Sequence, residues 1–530
     1  MSRGLVLNAV RGLSDPADSG IYVLEGLSKG QPIPVRRETV VAFLGSAPRG
    51  PVGIPIKIKS VDEYEKRFGS ANKPSCLHTL LKQFFDNGAV SAIVVRVFCS
   101  SRRNQIFFPG PSGPLVLSAT NPGPMEYLRA SVDYDGIPES DHNRFNLVIH
   151  RLASAGSPIV EEQEIFSGLS LNPESPNYAT HVLLDSGLVF MDSALPGERP
   201  ECTLARGIEV GKSYVYATAD WPDPEGISDY DLIGCETDGT GLSALNQVPV
   251  IDFICPVPDK PDLGPVALFA AERYCRKRCA VLATDPPSGW KSVADVVQSS
   301  RQNQFSSANL MTYYPRPVAS GEDAHASALG AILGRFAAED AEHGVWKAPS
   351  VDAAYADQIG ISCRASLPLR LSAQDCAVLA RKGVNSLLET GSGTLTLRGL
   401  VTFSRGEGVT AAWDNLRKRR IALLIIESIA RATRWTVFQD DGTEVWTLLD
   451  KQVHDFLRAL HAEGALAGET AGDAFYLMSD SDPGDSSARV RFLVGFALGD
   501  HEFYTFRFTH DRVDCEVREV AWQPGIALAS

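Results

Sequence analysis

With 530 residues, 44% of them hydrophobic and 22% charged, the chain is too long for one core and too apolar for disorder, which predicts roughly three or four globular domains. A net charge of −14 argues against a dedicated nucleic-acid binder, whose footprint is a basic face. No apolar run reaches the ~18 residues a membrane span needs, and the first twelve residues lack the apolar core of a signal peptide, so the expectation is folding in a cytoplasm with no membrane insertion.

Residues 1–38 read as an extended arm. Ile21, Tyr22, Val23 and Leu24 form a short strand between turn formers, followed by the proline-interrupted Gln31–Val35. So little apolar surface cannot fold alone, but such a strand can add to a sheet edge in another copy. Residues 39–104 then turn compact. Thr39–Gly45 and Ala92–Val97 are continuous apolar strands, with helical patterns at Val61–Phe68 and Cys76–Asn87 between them. All-apolar strands separated by helices predict a parallel sheet covered on both faces.

Residues 105–228 change texture. Gly, Pro, Ser and Asp abound, and short alternating runs at Leu128–Val132, Phe145–His150 and Gly187–Met191 predict a mostly β insertion at the surface. The α/β pattern returns over 229–405. Strands are expected at Val250–Pro256, Cys279–Asp285 and Ala308–Tyr314, and helices at Pro265–Arg278, Ser292–Gln302 and Ser327–Glu339. Cys275 and Cys279 fall on one face of the first of these helices. With no histidine or further cysteine near them, they are not a zinc pattern among the ten cysteines.

A C-terminal domain is predicted over 406–510. Its first helix is apolar all round at Ile421–Ile426, so it must be buried on more than one side. A polar stripe at Glu427, Arg431 and Arg434 survives, and Glu427 precedes Arg431 in the favourable order for a helix ion pair. After Asp440-Asp441-Gly442 a second helix carries Val445, Leu449, Val453, Phe456 and Leu460 on one face, capped near Gly464. Strands follow at Phe475–Met478 and Phe503–Phe508, and an extension over 511–530 adds Asp514–Trp522.

The ten histidines are scattered and none stands in a His-Glu-x-x-His pattern. Gly207–Ser213 resembles a phosphate loop but is one residue short between its glycines, too short for the backbone to wrap a phosphate. No catalytic, metal or cofactor-binding residue is assigned, and the expectation is a protein that is not an enzyme.

Several longer runs carry more information. VAFLGSAPRGPVGIP, YEKRFG and FFDNGAVSAIVVRV stand in the N-terminal half. CAVLATDPP, SSANLMTYYPRPV, GVWKAP and the Ile425–Phe438 run IIESIARATRWTVF follow in order. Together they resemble the contractile phage tail sheath proteins, collinearly and over most of the chain outside the insertion. The resemblance implies an α/β core of mixed sheet flanked by helices in a subtilisin-like layout, with a C-terminal α+β domain and extended arms. It implies a structural subunit that polymerises with itself as stacked six-fold rings in a helix around a tail tube, and that contracts to drive the tube through an envelope. Tail tube, baseplate and tail terminator proteins are the implied partners, and a virion tail the implied location. A DNA-free injection particle is the alternative; a non-contractile virion protein or a subtilisin-like hydrolase is more remote. Donated strands are expected at Ile21–Leu24 and, C-terminally, at Phe503, Tyr504, Phe506, Phe508, Val517 and Val520. With the C-terminal domain facing the tube, Arg417, Lys418, Arg419, Arg420, Arg431, Arg434, Lys451 and Arg458 are the candidate tube contacts.

Overall fold

The computed structural model describes residues 30–69, 75–99, 103–191, 195–203, 213–218, 226–302, 305–318, 327–347, 359–363, 365–390, 394–404, 412–438, 443–480, 490–499, 502–511 and 515–520. The chain divides into two compact units, Arg37–Leu424 and a second made of Met1–Arg36 with Ile425–Ser530.

In chain order the larger unit begins with β1 (Val41–Ser46), β2 (Ile56–Ile58), α1 (Val61–Phe68), α2 (Cys76–Asp86) and β3 (Ala92–Val97). The insertion holds β4 (Gln105–Phe108), β5 (Leu115–Ala119), β6 (Leu128–Asp133), β7 (Arg144–Leu152), β8 (Val160–Ser170), α3 (Ala179–Val182), β9 (Val189–Phe190) and β10 (Val215–Tyr216). Next come α4 (Asp229–Ile233), β11 (Phe253–Val257), α5 (Pro265–Lys277), β12 (Val281–Ala283), α6 (Val293–Gln302), β13 (Leu310–Met311), β14 (Tyr313–Tyr314) and α7 (Leu329–His343). The unit ends with β15 (Ile359–Ile361), α8 (Ala373–Ala380), β16 (Asn385–Glu389) and β17 (Leu395–Arg398), then the start of α9 (Leu416–Ala432).

The central sheet has the order β13-β12-β11-β1-β3-β2, and only β2 runs antiparallel. Alternation along β1 sends Val41 and Phe43 into one core, with α2 and α7, and Ala42 and Leu44 into another, with α5. Both faces are covered, as the apolar run of β1 and that of β3, interrupted only by Arg96, require.

Helix α7 lies against α2 closely enough that a Cβ at Gly330 or Gly334 would overlap the carbonyl oxygens of Leu80 or Phe84. Backbone meets backbone there, so no rotamer change relieves an added methyl. Gly334→Ala is expected to lower stability by about 1–3 kcal/mol, the range for overpacking a close contact, in a urea titration followed by circular dichroism.

Two expectations need correction. The run Ala308–Tyr314 is not one strand: β13 joins the central sheet, while β14 joins a second sheet of order β14-β16-β17-β15. Helix α5 closes at Lys277 and Cys279 takes φ 51°, so Cys275 and Cys279 do not share a helix face.

The insertion is β, as its composition predicts. Its sheets β4-β5-β9 and β10-β6-β7-β8 are joined by the bridge Gln105↔Thr218 around one apolar core that includes Phe108, Leu117, Phe145 and Leu147. Arg96 fixes the insertion to the central sheet. Fully buried in β3, it donates to the carbonyls of Ala47 (2.8 Å), Gly50 (2.5 Å) and Pro122 (2.7 Å). Burial lowers its pKa to about 10, so it remains a cation at neutral pH. Arg49 adds an ion pair to Glu161 of β8 at 2.8 Å.

The smaller unit holds the rest of α9, α10 (Thr443–Ala462), α11 (Ala471–Ala474), β18 (Phe475–Ser479), β19 (Val490–Gly499), β20 (Glu502–His510) and β21 (Cys515–Val520). Its sheet has the order β18-β19-β20-β21, antiparallel throughout. Phe492, Val494 and Phe496 face Phe508, Phe506 and Tyr504 across β19 and β20; Phe492 stacks on its partner Phe508 at 5.0 Å, and Phe496 stacks diagonally on Phe506 at 5.5 Å.

Candidate functional site

At the carboxyl ends of the parallel strands, where α/β folds bind ligands, serine hydroxyls meet carboxylates. Ser46 Oγ donates to Asp259 at 2.5 Å, Ser288 Oγ to Asp262 at 2.7 Å and Ser327 Oγ to Asp285 at 2.9 Å. A nucleophilic serine needs a base, usually histidine, to take its proton. Among the described residues none of these three hydroxyls hydrogen-bonds a histidine; each is used to solvate an acid. Among the described residues no three His, Cys, Asp or Glu side chains group as metal ligands.

The candidate tube contacts separate into three kinds. Arg419 and Arg420 turn inward. Arg419 donates to Asn309 Oδ1 at 2.7 Å and lies 5.0 Å from the Trp413 ring. Arg420 pairs with buried Asp340 and stacks between Phe253 and Phe336, 4.6 and 5.7 Å from the ring centres. Arg417 is half-buried, and burial lowers its pKa; Lys418 is half-buried too. This run belongs to the larger unit, not with the C-terminal sheet. Arg431 is exposed and pairs with Glu427 at 2.7 Å, as its spacing predicts, and Arg434 is exposed. Lys451 and Arg458 lie on the exposed face of α10, where Arg458 contacts His454 at 3.1 Å and Asp455 at 3.8 Å.

The strand candidates also separate. Ile21–Leu24 lies outside the described residues. Phe503, Tyr504, Phe506 and Phe508 belong to β20, which is hydrogen-bonded on both sides, to β19 and to β21. The expected donated strand is thus an interior one in this structure, because the alternating Phe492-Val494-Phe496 run pairs with it. The period-two alternation of Phe492, Val494 and Phe496 is the sequence signal of that partner strand. Val517 and Val520 sit in β21, and among the described residues no strand pairs with its outer edge. Tyr476 and Phe503 stack 5.4 Å apart, 3° from parallel, over Gly495, where any Cβ would strike both rings.

Residues missed by the sequence reading anchor the arm. Gln452 of α10 donates to the Gln31 carbonyl at 2.5 Å and accepts from Trp435 Nε1 at 2.9 Å. A methyl group at Gly30 would touch the Leu448 side chain of α10. A polar residue on the apolar face of α10, at Gln452, is the signal that would have pointed to it.

No family model matches the sequence, and no curated protein does. Solved structures do. A sheath tail protein from Listeria innocua superposes with a TM-score of 0.59 at 12% identity, over 90% of this chain and 96% of that one. The chain has the fold of tail sheath proteins. A second sheath tail protein with this fold, from Desulfitobacterium hafniense, gives 0.52 at 10% identity, over 93% and 100%. The sheath complex of an extracellular contractile injection system, in its contracted state, gives 0.51 at 12%, over 92% and 95%. The likeness of fold thus extends over nine-tenths or more of the chain.

Proposed function

We propose that the protein is the subunit of a contractile sheath, polymerising around a tail tube and shortening to drive that tube through an envelope. The observation that carries this reading is the sheath fold over nine-tenths of the chain. Its natural partners are further copies of itself in six-fold rings, the tube, and the baseplate and terminator that close the two ends. Phage tail and DNA-free injection particle both fit this reading.

The physics is heterologous association: one patch meets a different patch on the next copy, so the lattice stays open and grows as a helix. Strand addition ties the copies together. A donated strand of five or so residues contributes about five backbone hydrogen bonds at a net ~0.5–1.5 kcal/mol each. Such ties hold while the α/β bodies rearrange. Contraction needs no fuel if the extended lattice is kinetically trapped and the shorter one buries more surface.

With Arg419 and Arg420 committed to internal contacts, the exposed candidates for the tube contact are Lys451 and Arg458 of α10, and Arg431 and Arg434 at and just after the end of α9. Lys451→Glu with Arg458→Glu should abolish co-assembly with the tube while leaving the unfolding midpoint of the monomer within about 0.5 kcal/mol of the parent, as is usual for surface substitutions. Co-sedimentation of variant and tube, with negative-stain microscopy of the pellet, measures this. Normally sheathed tubes would remove α10 from the contact. The sheath reading itself is tested by polymerisation of the purified chain, which should give hollow cylinders; a persistent small particle would end it.

A further inference from the structure

A cavity of about 340 Å³ opens in the larger unit between the first turn of α5, helix α6 and the strand ends at Thr284 and Leu310. Its apolar lining includes the aromatic residues Trp290, Phe305 and Phe403. Asp262 and Asp285 line it as well. These two carboxylates share a single cation: Arg316 lies 3.0 Å from Asp262 and 3.6 Å from Asp285. Asp262 is well solvated by the amide and hydroxyl of Ser288, at 2.8 and 2.7 Å, whereas Asp285 has only the Ser327 hydroxyl besides the distant guanidinium. Lys382 also borders the cavity but makes no ion pair with either aspartate.

The wall at Asp262 and Asp285 thus carries two carboxylates for one guanidinium, beside the apolar surface of Trp290, Phe305 and Phe403. Burial pushes the Asp285 carboxyl above its usual range, consistent with a carboxylate that lacks a full partner. We propose that this cavity binds a small organic amine, its ammonium against Asp285 and Asp262 and its apolar body between Trp290, Phe305 and Phe403. A volume of this size accommodates a compact ligand of that class. The proposal does not depend on the sheath reading, since it rests on the cavity alone.

Three probes of one shape and different charge test it: phenethylamine, 2-phenylethanol and 3-phenylpropionate, titrated calorimetrically into the full-length chain. The amine should bind at least tenfold more tightly than the alcohol, and the carboxylate not at all. Asp285→Asn keeps the shape and removes one of the two carboxylate charges, so it should erase most of the preference for the amine. Ser299→Phe, which fills the cavity from α6, should abolish binding of every probe. Equal affinity for amine and alcohol, no binding of the amine, or an unchanged preference in Asp285→Asn would each overturn the proposal. Should either variant fail to fold, the comparison of the three probes on the unaltered chain still decides.

Discussion

Replacing Arg420 with methionine should cost the larger unit about 3–5 kcal/mol, because it leaves Asp340 charged and buried without its partner. Asp340 is 2% exposed and the Arg420 side chain 9%, so water cannot take over. Thr39 completes the cluster, donating to Asp340 at 2.6 Å and accepting from Arg420 at 3.2 Å, so the start of the α/β core, α7 and α9 all meet there. The double variant Arg420→Met with Asp340→Leu should recover most of the loss, since neither charge is then stranded. Chemical denaturation of the three variants gives the coupling directly. If single and double variants were equally unstable, the loss would come from packing against Phe253 and Phe336 rather than from the charge. A tube-contact role for Arg420 predicts the opposite pattern: unaltered stability and lost co-assembly.

The misreading of this residue has a physical cause. Four successive cations, Arg417 to Arg420, suggest a solvated or docking face. Successive helix positions, however, point about 100° apart, so four in a row circle the helix and cannot share a face. At least one had to turn inward once the helix was buried on several sides, as Ile421–Ile426 already indicated. The spacing Glu427–Arg431 was legible because i, i+4 neighbours do share a face, and the structure pairs them.

Much of the α/β core was legible for a similar reason. The apolar residues of β1 and β3 require cover on both sides, and α1 matches its predicted span, Val61–Phe68, with Ser60 capping its first turn. Less of the sheet pairing was legible. Nothing local in Ala308–Tyr314 shows that Met311 and Tyr313 enter different sheets; that is set by β12 and β16, far away in sequence. The insertion could be read as β from its turns and alternation, but the long β8, exposed along most of its length, hides its strand character behind Glu161, Glu162 and Glu164. Its role in holding Arg49 emerges only with the tertiary structure. In the C-terminal sheet the error was one of omission: without β19, strand β20 seemed to have a free side.

A proline at the outward-facing amide of β21 should raise the concentration needed for cylinder formation about a hundredfold, from a loss near 3 kcal/mol per contact, if that edge receives or donates a strand in the lattice. In an antiparallel ladder, neighbouring residues send their backbone groups to opposite sides. Of Val517 and Arg518, paired across from Phe508 and Arg507, one therefore bonds β20 and the other points to the free edge. Val517→Pro and Arg518→Pro made side by side thus carry their own control. The inward substitution breaks a hairpin bond and should lower the melting temperature; the outward one should leave it nearly unchanged, since proline is tolerated on edge strands. A sheath lattice tied through this edge predicts that the thermally intact variant is the one that fails to assemble, by negative-stain microscopy across a concentration series. Assembly of that variant at the parent's concentration would show that β21 is a protected edge, its Glu516, Arg518 and Glu519 serving to keep other strands away rather than to admit one.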